Sequence, residues 1–544
     1  MADNRINGTR FQDVLGGTSA DDLISGRGRN DVLRGRKGDD DLRGDAGDDR
    51  LFGGAGNDRL VGGEGDDAIF GGAGDDLMIW NNGDGSDRLR GGGGDDEARV
   101  VSQGAQGDAF AISSAGRGLS EERTGDGAFS LDIRGVETVL LRTGVGEDAV
   151  DASALAAGAT RLVVDAGAGN AEVVGSQGAD VLRGRGGADL LVGAQGDDDL
   201  FGGAGDDVFV WNNGDGSDLM QGGQGRDAVK VNGAEDAGNL FTVADGENGV
   251  LFDRTNLGLF QLDIRNVEAL EVFGGEAADE IDASGLSADA IALRLHGLGG
   301  DDALLGGDGD DALFGGDGND LLVGGKGDDD LYGGADDDRF VWNNGDGSDL
   351  MQGEDGDDVV EVNGAQAAGN LFTVSAGENG ADRCEGGGGF DVAVVNAIGD
   401  EGEDLRLQSR EGGVVVRRNG DEAAFSLVAL KTERLEVNLG DGDDVVQAGQ
   451  LGNGKVGLVV IDGGGGGDVL RGGKGRDELI GGAGDDILRG SDGSDVFVFG
   501  QGDDVVEDFE DGIDRLRTES GAGFDDLEVV QDGDDAPLTL ADGA

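Results

Sequence analysis

The sequence predicts an all-β solenoid in which short parallel strands stack through glycine-rich turns, in tracts that alternate with β-rich spacers. Three observations carry that prediction. From Gly53 the chain reads GGAGNDRLV, GGEGDDAIF, GGAGDDLMI, with glycine at positions 1, 2 and 4, aspartate at position 6 and an apolar residue at position 8. A period held this strictly means one geometric unit stacked many times. The intervening segments alternate short apolar runs with Gly, Asn and Asp turns, and no segment sustains a helical period. Finally, Trp80, Trp211 and Trp342 open WNNGDGSD octapeptides at intervals of 131 residues, so a larger period contains the small one.

Each nonapeptide divides into a six-residue turn, GGxGxD, and a three-residue strand. The glycines are needed where the backbone adopts positive φ or brings carbonyl groups close together. In the strand, neighbouring side chains point to opposite faces, so position 8 faces inward. Leu33, Leu42, Leu51, Leu60, Ile69 and Met78 are expected to form one inward ladder, with equivalents in Leu313, Leu322 and Leu331. Two nonapeptides would complete one coil, with turns along both edges of a flattened roll.

Tract I, residues 1–99, opens with a degenerate copy at Gly8 and includes the first Trp turn. A β spacer (100–174) precedes tract II (175–230), a second spacer (231–296) precedes tract III (297–361), and an atypical spacer (362–462) precedes tract IV (463–507). Residues 508–544 form a C-terminal region. WNNGDGSDRLR (80–90) reads as an eleven-residue repeat with Asp87 and Leu89 in register, so Trp80 is expected in the core or as a cap, not as a sugar platform. FSLDIRGVET (129–138) and FQLDIRNVEA (260–269) are the same segment one large period apart. The third spacer adds about 34 residues after GENG (377–380), including Cys384 and a glycine run. Each spacer is expected to continue the solenoid with a hairpin bulging from it.

The acidic balance bounds the partners. The 544 residues carry 115 acidic against 41 basic side chains, a formal charge of -74, with 116 Gly and a single Pro, Cys and His. Such a chain repels phosphate backbones and anionic lipid, which leaves cations as partners. Stacked turns put each position-6 aspartate over its counterpart two repeats later. Bare carboxylates ~4 Å apart repel by about 1 kcal/mol in water and about 4 kcal/mol at an effective dielectric of 20. A hard divalent ion that takes six to eight oxygens reverses that sign, and calcium accepts a mixed carboxylate and carbonyl cage more readily than magnesium. One inward apolar residue per nonapeptide is a thin core, so the chain is expected to be disordered without calcium and ordered with it.

The nonapeptides resemble the RTX (hemolysin-type calcium-binding) repeat family. That resemblance implies a right-handed parallel β-roll with multiple Ca2+ ions. Carried onto this register, the metal-ligating aspartates are Asp22, Asp31, Asp40, Asp49, Asp58, Asp67, Asp76, Asp87 and Asp96 in tract I, and Asp180, Asp189, Asp198, Asp207, Asp218 and Asp227 in tract II. Tract III supplies Asp302, Asp311, Asp320, Asp329, Asp338, Asp349 and Asp358, and tract IV Asp468, Asp477, Asp486, Asp495 and Asp504. The accompanying turn glycines are Gly53, Gly56, Gly62, Gly65, Gly71 and Gly74 in the first tract and Gly202 and Gly205 in the second. Gly306, Gly309, Gly315, Gly318, Gly324 and Gly327 serve the third, and Gly472, Gly475, Gly481 and Gly484 the fourth. Tract ends supply half-sites, so fewer ions than aspartates should bind.

Catalytic signatures are missing. The loose dinucleotide match at 307–312 lies in the nonapeptide register, where its acids would repel a pyrophosphate. Neither GxSxG nor HExxH occurs, and the sole histidine, His296, ends a spacer strand. Many RTX enzymes carry a catalytic domain ahead of the repeats; here repeats begin within the first 25 residues, and no enzyme is expected. A lone Cys384 excludes an internal disulfide, no 18-residue apolar stretch spans a membrane, and the N-terminus lacks a Sec-type signal. DVFVFGQGDDVVEDFEDGIDRL (495–516) resembles the closing region of RTX exoproteins, which implies a type I secretion signal, the secretion machinery as partner and an extracellular location. The expected function is a secreted calcium-binding repeat protein with a structural or surface-interaction role. The alternatives are a polysaccharide-active enzyme or adhesin with its site in a spacer, and a plain calcium buffer.

Overall fold

The structure, a computed structural model, describes residues 4–104, 107–115, 118–124, 128–158, 160–343, 346, 349–356, 358–363, 371–375, 383–385, 392–397, 404–410, 413–418, 426–430, 434–451, 456–518, 527–528 and 538–540. The GENG segment, the glycine run of the third spacer and most of the C-terminal region lie outside them. Every described element is a β-strand. The chain divides into two compact units, Met1–Gly233 with Thr242–Val272, and Ala234–Phe241 with Phe273–Ala544.

In the first unit, successive repeats alternate between two parallel sheets. Val32–Lys37, Arg50–Ala55, Ala68–Ala73 and Arg88–Gly93 pair in one. Asp22–Ser25, Asp41–Ala46, Arg59–Glu64 and Leu77–Asn81 pair in the other. Two nonapeptides therefore make one coil. The expected single inward ladder is corrected to two facing ones: Leu33, Leu51, Ile69 and Leu89 on one sheet, Ile24, Leu42, Leu60 and Met78 on the other, all fully buried. In-register stacking of identical positions places each leucine against the one above, which a parallel ladder with side chains on alternate faces allows. The second unit repeats the arrangement with Leu295, Leu313 and Leu331 in one sheet and Ile281, Leu304 and Leu322 in the other.

The Trp turns widen the coil without losing register. Asp67 N–H donates to Asp87 Oδ1 across 20 residues, where 18 is the ordinary spacing. Trp80 and Trp211 are buried, and each indole N–H donates to a turn carbonyl, Gly85 or Gly216. Their ring centroids lie 3.9 Å from those of Phe129 and Phe260 respectively, so each of these two periods seats its indole against the equivalent spacer phenylalanine. Trp342 is buried as well. The indoles are core rings, as expected.

The spacers continue the coil, but their hairpins lie within the sheet and do not bulge from it. Arg88–Gly93 runs parallel to Phe129–Arg134, which pairs antiparallel with Gly118–Thr124, which pairs antiparallel with Ala109–Ala115. The last of these is parallel to Ala149–Ala154, and stacking resumes. An antiparallel pair needs only a tight turn, so three strands fit where a parallel stack would need a whole coil for each. The third spacer, expected to be atypical, contains the same device: Asp404–Arg410, Gly413–Arg418 and Ser426–Leu430 form the antiparallel trio. Part of its extra length forms further stacked strands, Arg383–Glu385 and Val392–Ala397.

Candidate metal centre

The three glycines of a turn serve two different ends. At positions 2 and 4 the backbone is left-handed, with φ of 125° at Gly54 and 127° at Gly56. Position 1 is different: a Cβ on Gly53 would run into Asp58 Oδ2 and lie 2.6 Å from the carbonyl oxygen of Gly71. Gly35, Gly297, Gly315 and Gly463 stand in the same relation to Asp40, Asp302, Asp320 and Asp468 and to the position-1 carbonyl two repeats on. The missing side chain leaves a small space walled by one carboxylate oxygen and one carbonyl oxygen. This is the cradle that recurs along the chain.

Within a ladder, a position-6 aspartate divides its two oxygens. Oδ1 accepts the N–H of the position-6 residue two repeats earlier, forming a ladder along each edge. On one edge the N–H groups of Asp31, Asp49 and Asp67 donate to Asp49, Asp67 and Asp87; on the other those of Asp22, Asp40, Asp58 and Asp76 donate to Asp40, Asp58, Asp76 and Asp96, at 2.6–2.9 Å. Ladders of the same kind link Asp180, Asp198 and Asp218, and Asp189, Asp207 and Asp227. In the second unit they link Asp302, Asp320, Asp338 and Asp358, then Asp311, Asp329 and Asp349. Asp468, Asp486 and Asp504 form one more, and Asp477 and Asp495 another.

Oδ2 faces the cradle. It is buried and without a hydrogen-bond partner at Asp31, Asp40, Asp49, Asp58, Asp67, Asp76, Asp87 and Asp96, and again at Asp189, Asp198, Asp207 and Asp227. The same holds at Asp302, Asp320, Asp329, Asp338, Asp468, Asp486, Asp495 and Asp504. A buried carboxylate oxygen with no donor is costly. Burial accordingly pushes these groups up, helped by the next carboxylate along the ladder: Asp67 to about 8 and Asp198 to about 9. No cluster of three or more His, Cys, Asp or Glu side chains converges among the described residues. The donors are therefore single carboxylates with backbone carbonyls, a hard oxygen set that suits calcium and not the softer transition metals. The residues present fit the ion.

Not every register position is alike. At Asp22, Asp180, Asp311 and Asp477 the Oδ2 atom accepts an N–H from position 2 of its own turn, Thr18, Ser176, Gly307 or Gly473. The glycine at position 4 also departs at Gly309, which is not left-handed. Sequence reading missed several members of the edge. Asp108, Asp148, Asp279, Asp444 and Asp514 stand in the ladder from spacers or the C-terminal region. Glu137 and Glu268 end it, accepting the N–H groups of Asp96 and Asp227. Their flanking glycines are incomplete, as in TGVGED (143–148), although GxGxD cores survive there and in GDGDD (440–444). Position 5 was also passed over: Asp39, Asn57 and Asp75 form an outer ladder in which Asp39 accepts from Asn57 N–H and Asn57 from Asp75 N–H.

The described residues also hold an open groove of about 480 Å³ in the first unit, lined by Asp148, Asn170, Ala171, Asp189 and their neighbours. It forms where Ala171 takes the position-6 place that aspartate fills elsewhere.

Comparison with known proteins bears on this geometry. Residues 16–51, 43–78, 82–98, 174–209, 294–322, 314–341, 344–364, 376–393, 454–479, 462–497 and 472–506 match the profile of the RTX calcium-binding nonapeptide repeat (4 copies). The comparison with curated proteins gave no match. Among solved structures, the extracellular lipase LipA from Serratia marcescens is similar over 49% of this chain and 38% of its own, at 17% identity and a TM-score of 0.13. The chain thus spans well under half of that lipase, and a likeness at this level carries no argument.

Proposed function

We infer that this chain, a member of the RTX calcium-binding nonapeptide repeat family, is a secreted structural or surface-interaction module whose coil is completed by many calcium ions. The observation that carries this reading is the row of buried Oδ2 atoms, most of them against the position-1 glycine of their own turn and, as at Gly35, Gly53, Gly297, Gly315 and Gly463, beside a carbonyl oxygen two repeats on. In the turn of Asp58, that carboxylate and the Gly71 carbonyl would hold the ion. Calcium supplies the positive charge that lets a stack of ionised carboxylates exist in a dry edge. The protein's part is to hold the oxygens in register through the Oδ1 ladder, and to keep the cradle clear by having no side chain at position 1.

Export follows from the same chemistry. Where calcium is scarce the chain stays extended and can pass a narrow channel; where calcium is millimolar it folds. The role is proposed as non-catalytic, with the secretion machinery and an unidentified surface as macromolecular partners. A calcium titration from chelator to millimolar calcium tests the reading, followed by circular dichroism and by the emission of the buried indoles. A cooperative gain of β-structure with a blue shift is expected. Identical spectra at both ends would overturn it.

A further inference from the structure

Three spacer positions fill the edge with hydrogen-bond donors of the chain's own. At Thr143, which stands at position 1 of its turn, the buried hydroxyl lies 2.6 Å from Asp148 Oδ2 and 2.7 Å from the carbonyl oxygen of Ala166. Those are the two kinds of oxygen that wall a tract cradle. At Asn239, which takes the position-6 place, the buried amide nitrogen lies 2.9 Å from Asp279 Oδ1 and 3.2 Å from the carbonyl oxygens of both Ala234 and Gly274. At Asp108 the buried guanidinium of Arg123 approaches Oδ2 at 3.4 Å and Ser102 Oγ at 2.7 Å. The hydroxyl and the guanidinium present donors to Oδ2 atoms of the kind that the tracts leave without one, and the amide presents its donors to the position-1 carbonyl oxygens of Ala234 and Gly274, while Asp279 Oδ2 keeps no partner.

The junctions into later tracts are closed in a related way. Each spacer contains, in its later part, a turn whose leucine is buried: Leu155, Leu286 and Leu451, with N–H groups donating to the carbonyls of Ala152, Ala283 and Ala448. The carbonyls of Leu155 and Leu286 accept from Gln177 and Asp308 in the adjoining tract turn. The turns stacked beside these leucines are those of Asp180, Asp311 and Asp477, whose Oδ2 is already bonded to position 2.

We propose that the spacers are calcium-independent folding seeds: their own donors replace the cation in the edge, so they order first and the tracts between them close onto them as calcium binds. This rests on the reading that the tracts require calcium. It gives the spacers a task that their sequence alone did not disclose. The antiparallel trios fit that task, because their contacts are local and their closure entropy is small.

The test is hydrogen–deuterium exchange of the full chain in chelator and in millimolar calcium. In chelator, peptides from 128–150 and 273–285 are expected to exchange about tenfold more slowly than tract peptides from 44–78. The Asn239→Asp variant should lose protection at 273–285 in chelator and regain it in calcium, because a second carboxylate then enters the cage of Asp279. Thr143→Gly should do the same at 138–150. Spacers that exchange as fast as tracts in chelator would overturn the proposal, as would variants that leave protection unchanged. Tracts that gain no protection with calcium would instead overturn the reading on which it rests.

Discussion

A methyl group placed at position 1 should block a single cradle. Gly53→Ala is the sharpest choice, since its φ lies outside the left-handed range and the change strains nothing but the space itself. The new Cβ would collide with Asp58 Oδ2 and lie 2.6 Å from the Gly71 oxygen. Forcing an extra carbon into a packed site costs about 1–3 kcal/mol. Loss of an ion held at ten times its dissociation constant removes about 1.4 kcal/mol more. Together this gives roughly 2–4 kcal/mol, or about 5–15 °C in the calcium-loaded melting midpoint at roughly 2–4 °C per kcal/mol. Gly28→Ala is the matched control: it too lacks a left-handed φ, and a Cβ there meets nothing within 4 Å. Differential scanning calorimetry with calorimetric ion counting reads both effects. If Gly53→Ala binds as many ions as Gly28→Ala and melts with it, the cradle is misplaced.

Other expectations concern protons, backbone and core. Burial holds Asp67 at about 8 and Asp198 at about 9 in the folded edge, while an unfolded aspartate titrates near about 4. Folded carboxyls therefore keep protons that the unfolded chain loses, so stability of the metal-free coil is greatest below about pH 4 and falls as pH rises toward 8. In chelator, β-structure should be greater at pH 4 than at pH 8, as read by circular dichroism; equal or lower β-structure at pH 4 would refute this. Leu298 stands at position 2 with φ of 80°, a conformation that costs a side chain about 1–2 kcal/mol, so Leu298→Gly should raise the calcium-loaded melting midpoint. Glu121 is fully buried with neither oxygen hydrogen-bonded, and burial pushes it to about 8. The second large period has the buried Phe252 at its place, so Glu121→Phe should stabilise the first unit by about 1–3 kcal/mol, as read by denaturant unfolding in calcium.

The tracts were legible because most repeats state the same rule and the degenerate copies keep its register. Glycine at 1, 2 and 4 and aspartate at 6 named the turn, and the apolar eighth residue named the core. The two-sheet split was harder to see, since Leu33 and Leu42 look alike in sequence and only pairing assigns them to opposite faces. The spacer members of the edge were hidden because a side chain that replaces the cation also erases the motif. Thr143 removes the first glycine of its turn, and Asn239 removes the aspartate. What reads as degeneracy in the alphabet is a change of partner in space. The closed turns at Asp311 and Asp477 keep the full GGxGxD text, so nothing in their own residues announces them. Their difference comes from the leucine turn stacked beside them.

The Trp turns carry one more consequence. Because Trp80 and Trp211 meet the same phenylalanine geometry and hand on to the same in-register strands, a chain cut after Trp80 and rejoined at Asn212 would continue as if uncut. Length in such a molecule is a dial with steps of one cassette, open to lengthening or shortening by recombination between near-identical segments without a new interior having to be invented.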